Sequence, residues 1–184
     1  MGWTLFALWE AFWLIWAIFA LITGPKNKRI KLLVDYILIL AFIPILGLFI
    51  VFEKSQFPMN VLPNNSVILI TGLILILIGL SLAIWSRIKL GKYWSGEPEL
   101  LPNHKLIRDG PYKIVRHPIY LGILFGTLGT AIILGDIIGL LLFISSVVGF
   151  SQKIRNEEVL LLTQFASEFE KYKKDVKMLI PFLL

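Results

Sequence analysis

The 184-residue sequence contains no cysteine. That excludes disulfides and thiolate-bound metals, and it leaves the redox compartment unspecified. With two histidines besides, no metal centre is expected. Charge is scarce too: Asp, Glu, Lys and Arg make up 16% of the chain, against about 25% in ordinary soluble domains. So thin a polar complement cannot cover the surface of a soluble globule. It also excludes a disordered chain, which would be polar and charge-rich.

What is abundant is apolar: 57% of residues are hydrophobic and the mean hydropathy is +0.81. These residues fall in blocks. Gly2–Thr23 carries one ionisable residue, Glu10; Leu32–Phe52 carries Asp35; Ser66–Ser86 carries none; Ile119–Phe150 carries Asp136 at its middle. A helix crosses the hydrocarbon in about 20 residues, so the first three blocks make one crossing each. The first lacks the basic start and small-residue cleavage site of a signal peptide and is expected to be a retained helix. The fourth is too long for one crossing, and Gly135-Asp136 marks a turn inside it. It predicts a tight hairpin, Ile119–Leu134 and Ile137–Phe150 with some extension. The expected fold is therefore an all-α, polytopic integral membrane protein with five spans. One domain is the default for this length, divided into three N-terminal spans (1–86) and a polar-plus-hairpin region (87–184).

The net charge of +6 comes from 18 basic and 12 acidic residues. Five spans put 17 of the 18 basic residues on one side. By the positive-inside rule that side is cytoplasmic and the N-terminus lies outside. Topology thus accounts for the basic surplus. No basic segment carries a nucleic-acid-binding motif, and no nucleic-acid partner is expected.

Two cytoplasmic segments are long enough to build a site. Arg87–Pro118 is rich in glycine, proline and aromatics, and ends in Arg116-His117-Pro118-Ile119-Tyr120 at the start of a span. Proline favours the first position of a helix, and the free N–H groups there, with Arg116, favour an anion such as a carboxylate or phosphate. The competing explanation is an Arg-His pair anchoring a helix at the headgroups. Ser151–Leu184 continues as an amphipathic helix with Leu161, Phe165, Phe169 and Tyr172 at helical spacing, a stripe that interfacial packing explains. Glu157 and Glu158 follow the last span, where a carboxylate gains nothing from the helix dipole. Their partner is either Lys153 one turn away or a bound cation. Gly122-x-x-x-Gly126 and Gly129 form a small-residue stripe expected to face Gly135 and Gly139 of the next helix. It serves close packing or leaves room for a ligand. Glu10 and Asp35 receive no role.

The run Leu90–Leu183 resembles the isoprenylcysteine carboxyl methyltransferases and their prokaryotic relatives. The pieces that carry the resemblance are Leu90-Gly91-Lys92-Tyr93-Trp94-Ser95, His104-Lys105-Leu106-Ile107 with Gly110-Pro111-Tyr112, Arg116-His117-Pro118-Ile119-Tyr120, and Glu157-Glu158 followed by Phe165, Glu168, Phe169 and Tyr172. The resemblance implies a membrane-embedded methyltransferase using S-adenosylmethionine. His104, Lys105, Leu106, Ile107, Tyr112, His117, Pro118, Ile119, Tyr120 and Glu157 would line the cofactor pocket, with Arg116 and Glu157 as the catalytic charges. Lys153 stands where many relatives place an arginine that contacts substrate, and Arg155 is a second candidate; lysine lacks the planar bidentate clamp on a carboxylate. The implied acceptor is a lipophilic molecule such as an isoprenylcysteine carboxylate. Two other readings are a phospholipid N-methyltransferase, with His104 or Glu158 as base, and a non-catalytic membrane binding or transport protein. Against the latter, no pair of broken helices marks a midplane site.

Overall fold

A computed structural model of the chain describes residues 2–23, 61–63, 65–94 and 105–179. The block Leu32–Phe52, with Asp35, and the residues Ser95 and His104 lie outside the described residues. Four α-helices are present among those described: α1 (Gly2–Thr23), α2 (Ser66–Leu90), α3 (Pro118–Leu134) and α4 (Ile137–Asp175). Short 3₁₀ turns occupy Gly91–Tyr93 and Gly110–Lys113. Three stretches are long and apolar enough to cross a membrane by length and composition: Thr4–Thr23, Ser66–Tyr93 and Ile137–Asp175. α3 is apolar but only 17 residues long.

The helices start and stop where local chemistry directs. Asn65 caps α2 through its side-chain oxygen, which accepts from the Ile68 N–H. Asp136 does the same for α4 through Gly139, as an N-cap carboxylate should. Gly135 adopts φ 63°, the left-handed turn that ends α3. α3 and α4 form an antiparallel hairpin, with Ala131 beside Gly139 near the turn and His117 beside Glu158 at the far end.

α2 and α3 pack with their backbones nearly touching. A Cβ on Gly122 would lie 2.5 Å from the Gly79 carbonyl oxygen and 2.7 Å from the Ala83 nitrogen. One on Gly129 would lie 2.5 Å from the Gly72 carbonyl oxygen. The expected partner of the Gly122/Gly126/Gly129 stripe is therefore corrected: it faces α2, not Gly135 and Gly139. The reason is that α2 offers matching small residues, Gly72, Gly79 and Ala83, at one helical face, whereas the atoms nearest a Cβ on Gly139 belong to Ala131 and Leu134.

α1 lies across this pair. Its Phe12 and Trp16 are buried with Ile76, Leu80 and Ala83, and the Trp9 indole donates to Thr130 at 3.0 Å. Thr23, ending α1, accepts from Arg87, near the end of α2, so the two helices run in the same direction. Arg87 is fully buried. It donates to the Gly91 carbonyl at 2.9 Å and lies 4.1 Å from the Trp94 ring centroid. A desolvated cation–π contact of this kind is worth about 2 kcal/mol.

α4 runs without a break from the hairpin span into the polar segment, so Glu157 and Glu158 sit inside the helix and not near its end. The polarity changes after Phe150 while the helical periodicity does not. The break comes at Ala166 (φ 36°, ψ −112°), beyond which Phe169 and Tyr172 are buried. Tyr172 donates to the Tyr112 carbonyl at 2.6 Å, and Arg108 pairs with Glu168 at 3.0 Å. The polar segments 87–94 and 105–117 and the second half of α4 thus gather at one end of the bundle.

Replacing Gly122 by Val forces α2 and α3 apart and costs about 1–3 kcal/mol of overpacking, read as a lower unfolding temperature in detergent. Gly149→Ala is the control. A Cβ there meets nothing within 4 Å, and the change leaves stability unaltered or raises it by up to about 1 kcal/mol.

Candidate active site

The site forms where the start of α3 meets the middle of α4. Pro118 opens α3 with buried His117 at its N-cap and buried Arg116 before it. Residues three and four apart share a helix face, so Phe150, Lys153 and Glu157 lie on one face of α4 and Ile154 and Glu158 on the next. This offset gives two adjacent glutamates different tasks.

Glu158 points inward. Its Oε1 accepts from Arg116 Nε at 2.8 Å, from a second Arg116 nitrogen at 2.8 Å and from His117 Nε2 at 3.1 Å. An ionised carboxylate only accepts, so the last contact puts a hydrogen on Nε2. The side chains of Arg116 and Glu158 are 7% and 10% exposed. Removing one partner of a pair so buried leaves an uncompensated charge, whereas a surface pair would matter little.

Glu157 is the more open of the two, at 24%. The Tyr120 hydroxyl donates a short hydrogen bond to its Oε1, and its Oε2 lies 3.7 Å from His117 Nδ1. His117, Tyr120 and Phe150 stack in sequence, with centroid spacings of 5.9 and 5.0 Å. Lys153 Nζ lies 5.8 Å from the Tyr120 ring centroid. The result is an anionic oxygen at the edge of flat apolar faces, with a cation close by. Such an edge suits a ligand bearing both a positive charge and an aromatic ring.

The remaining sequence candidates are placed as follows. Pro118 and Ile119 are buried at the start of α3. Tyr112 is buried under the 3₁₀ turn, where its hydroxyl donates to the Ser86 carbonyl at 3.4 Å. Burial pushes its phenol well above the ordinary range, and Tyr172 and Glu157 push in the same direction. Tyr112 therefore stays a protonated donor. Leu106 and Ile107 are half-buried on irregular backbone, and Lys105 is exposed there. The Lys89 ammonium beside Asp109 holds that carboxyl below the usual carboxylate range. Arg155 is exposed, two residues from Lys153 and so on another side of the helix.

Two features escaped sequence reasoning. The place beside Arg116 where an anion was expected holds the Glu158 carboxylate. Beyond α4, moreover, the chain returns to the start of α3: Arg116 and His117 donate backbone N–H bonds to the carbonyls of Lys177 and Met178 at 2.8 and 3.1 Å. Carbonyl acceptors carry no side-chain signature, so no sequence signal marks them.

A family model described as the isoprenylcysteine carboxyl methyltransferase (ICMT) family matches residues 71–163, which include Arg116, His117, Tyr120, Glu157 and Glu158. The protein-S-isoprenylcysteine O-methyltransferase of Schizosaccharomyces pombe is 42% identical over 83 residues, 44% of this chain and 35% of that protein. The protein of the same name in Xenopus laevis is 30% identical over 117 residues, 62% of this chain and 41% of its own length. Among solved structures, the eukaryotic intramembrane Ras methyltransferase ICMT matches with a TM-score of 0.69 and 25% identity. That match covers 90% of this chain and 60% of the other. The chain thus spans well under half the length of these curated relatives.

Glu158→Ala strands a buried guanidinium and lowers stability by about 3–5 kcal/mol. Glu157→Ala, on the open side, costs less than a third of that. Chemical denaturation of the two variants in the same detergent separates the roles.

Proposed function

The chain belongs to the isoprenylcysteine carboxyl methyltransferase family, and on that ground we propose that it methylates the carboxylate of an isoprenylcysteine or similar lipid-like acid, with S-adenosylmethionine as donor. The observation that carries this reading is the cluster of His117, Tyr120, Phe150 and Glu157. Its ring stack and partly open carboxylate fit a donor with an adenine ring and two cationic centres. When bound, S-adenosylmethionine supplies an electrophilic methyl group on a sulfonium.

The residues present account for the rest. Glu157, held in place by the Tyr120 hydroxyl, offsets positive charge on the donor. Lys153, beside the Tyr120 ring, is the cation nearest the place where an acceptor carboxylate arrives. No base is needed, because a C-terminal carboxyl with a pKa of about 3.3–3.7 is already ionised at neutral pH. The enzyme has only to align the reacting atoms and exclude water. On the same reading, as the family resemblance implies, Lys105 to Ile107 contact the donor, together with His104, which lies outside the described residues. A lipid tail gains about 0.8 kcal/mol per buried CH₂, which favours delivery of the acceptor from within the bilayer.

The same reading gives five spans, counting Leu32–Phe52 and the α3–α4 hairpin, followed by an amphipathic C-terminal helix. Residues 1–86 form the N-terminal membrane region and 87–184 the methyltransferase region. The site and the C-terminus face the cytoplasm and the N-terminus lies outside. The described residues at the opposite end of the bundle, 61–63, 65–66 and 134–137, include no lysine or arginine, which supports that orientation.

The test is methyl transfer from labelled S-adenosylmethionine in nanodiscs, with a farnesylcysteine and phosphatidylethanolamine as competing acceptors. A base-labile methyl ester on the farnesylcysteine is expected. Label on the amine alone overturns the assignment. Lys153→Glu raises the acceptor KM about tenfold or more while leaving donor binding within twofold, as expected when a like charge replaces a complementary one.

A further inference from the structure

Arg116 stands where three distant pieces of chain meet. Toward α4, Nε and one terminal nitrogen donate to Glu158. Toward the end of α4, the other terminal nitrogen donates to the Val176 carbonyl at 2.5 Å and the Lys173 carbonyl at 3.4 Å. Helix C-termini leave their last carbonyls without intrahelical partners, and a cation is favoured there. Along the main chain, Arg116 and His117 donate to Lys177 and Met178, and Val115 and Lys177 form a parallel bridge. A ligand carboxylate reaching this guanidinium would have to displace Glu158 or the carbonyls. The strap Val176–Met178 lies beyond the family-matched stretch, which ends at residue 163.

From these contacts we infer that Arg116 is a positioning residue that works through the C-terminal strap: it staples Val176–Met178 and Glu158 to the start of α3, and the strap fixes the backbone from which His117 and Tyr120 meet Glu157. The inference rests on the donor-binding reading above. A merely structural arginine would change the amount of active protein. This one sets donor affinity and leaves the acceptor side alone.

The experiment is a double-mutant cycle on the full chain in nanodiscs. It compares Arg116→Lys, a chain ended after Asp175, and the two changes combined. Equilibrium binding of S-adenosylmethionine, the KM for a farnesylcysteine acceptor and exchange of the Arg116 and His117 amides are measured. Each single change weakens donor binding about tenfold. The combination is no weaker than the worse single change, because residues of one network are not additive. The acceptor KM stays within twofold, and the two amides exchange faster in every variant. Multiplied losses, or a shortened chain that binds donor as well as the parent, overturn the inference. If the shortened chain does not fold, Arg116→Lys decides: weaker donor binding with faster His117 amide exchange supports the inference, and weaker binding with unchanged exchange overturns it. A parent chain that binds no donor overturns the functional reading instead, and the amide exchange still judges the strap.

Discussion

A buried ion pair, Arg116 with Glu158, fixes the relation between the start of α3 and the middle of α4. Ion pairs are poor sources of stability when exposed, and a buried one barely offsets its own desolvation. What this pair contributes is place. One oxygen of Glu158 takes two guanidinium nitrogens and the His117 ring, so α3 cannot slide or rotate against α4 without exposing a charge to an apolar interior. The stacked rings of His117, Tyr120 and Phe150 inherit their alignment from that constraint.

The constraint works because the opposite side of α3 cannot yield. Gly79 and Gly122, and Gly72 and Gly129, bring the α2 and α3 backbones into contact. Helices packed through small residues gain dispersion contacts that lipid cannot replace. α3 is therefore held between a close backbone seam and a charged clasp. The part of the interface left to adapt is the more open α4 face carrying Lys153 and Glu157.

Much of this was legible in the sequence, and the unread part has physical causes. The apolar blocks Gly2–Thr23 and Ser66–Ser86 announced α1 and α2 because uncharged runs of that length have few alternatives. Gly135-Asp136 announced its turn because one residue tolerates φ 63° and the other caps a helix. A glycine stripe, by contrast, identifies a face and not its partner, so Gly122 was matched to the wrong helix. Helix beyond Phe150 was legible from the spacing of Leu161, Phe165, Phe169 and Tyr172; that it is one helix with the span, with Glu157 and Glu158 in its interior, was not, because a change of polarity looks like a helix end. Within the site, Arg116, His117, Tyr120, Glu157 and Glu158 were all singled out. The division between the two glutamates was not legible, because it depends on about 100° of rotation around α4 relative to a helix 40 residues away. The strap was invisible because it binds through carbonyl oxygens, which every residue has.

The chemistry of the proposed reaction explains why such an arrangement would suffice. Transfer of a methyl group to an ionised carboxylate moves no proton to or from the acceptor, so a catalyst gains nothing from a tuned base and much from fixed geometry. The charges here follow that logic. Arg116 and Glu158 neutralise each other out of reach of solvent, and the His117 ring is tied to Glu158. Among the glutamates and arginines of this cluster, Glu157 alone meets the open side. A site required to deprotonate an ammonium would need a group free to accept a proton close to the acceptor. In this cluster Glu158 holds three donors on one oxygen, away from the open side, and Glu157 is the group assigned to the donor's positive charge, so the proposed acceptor is one that arrives already ionised.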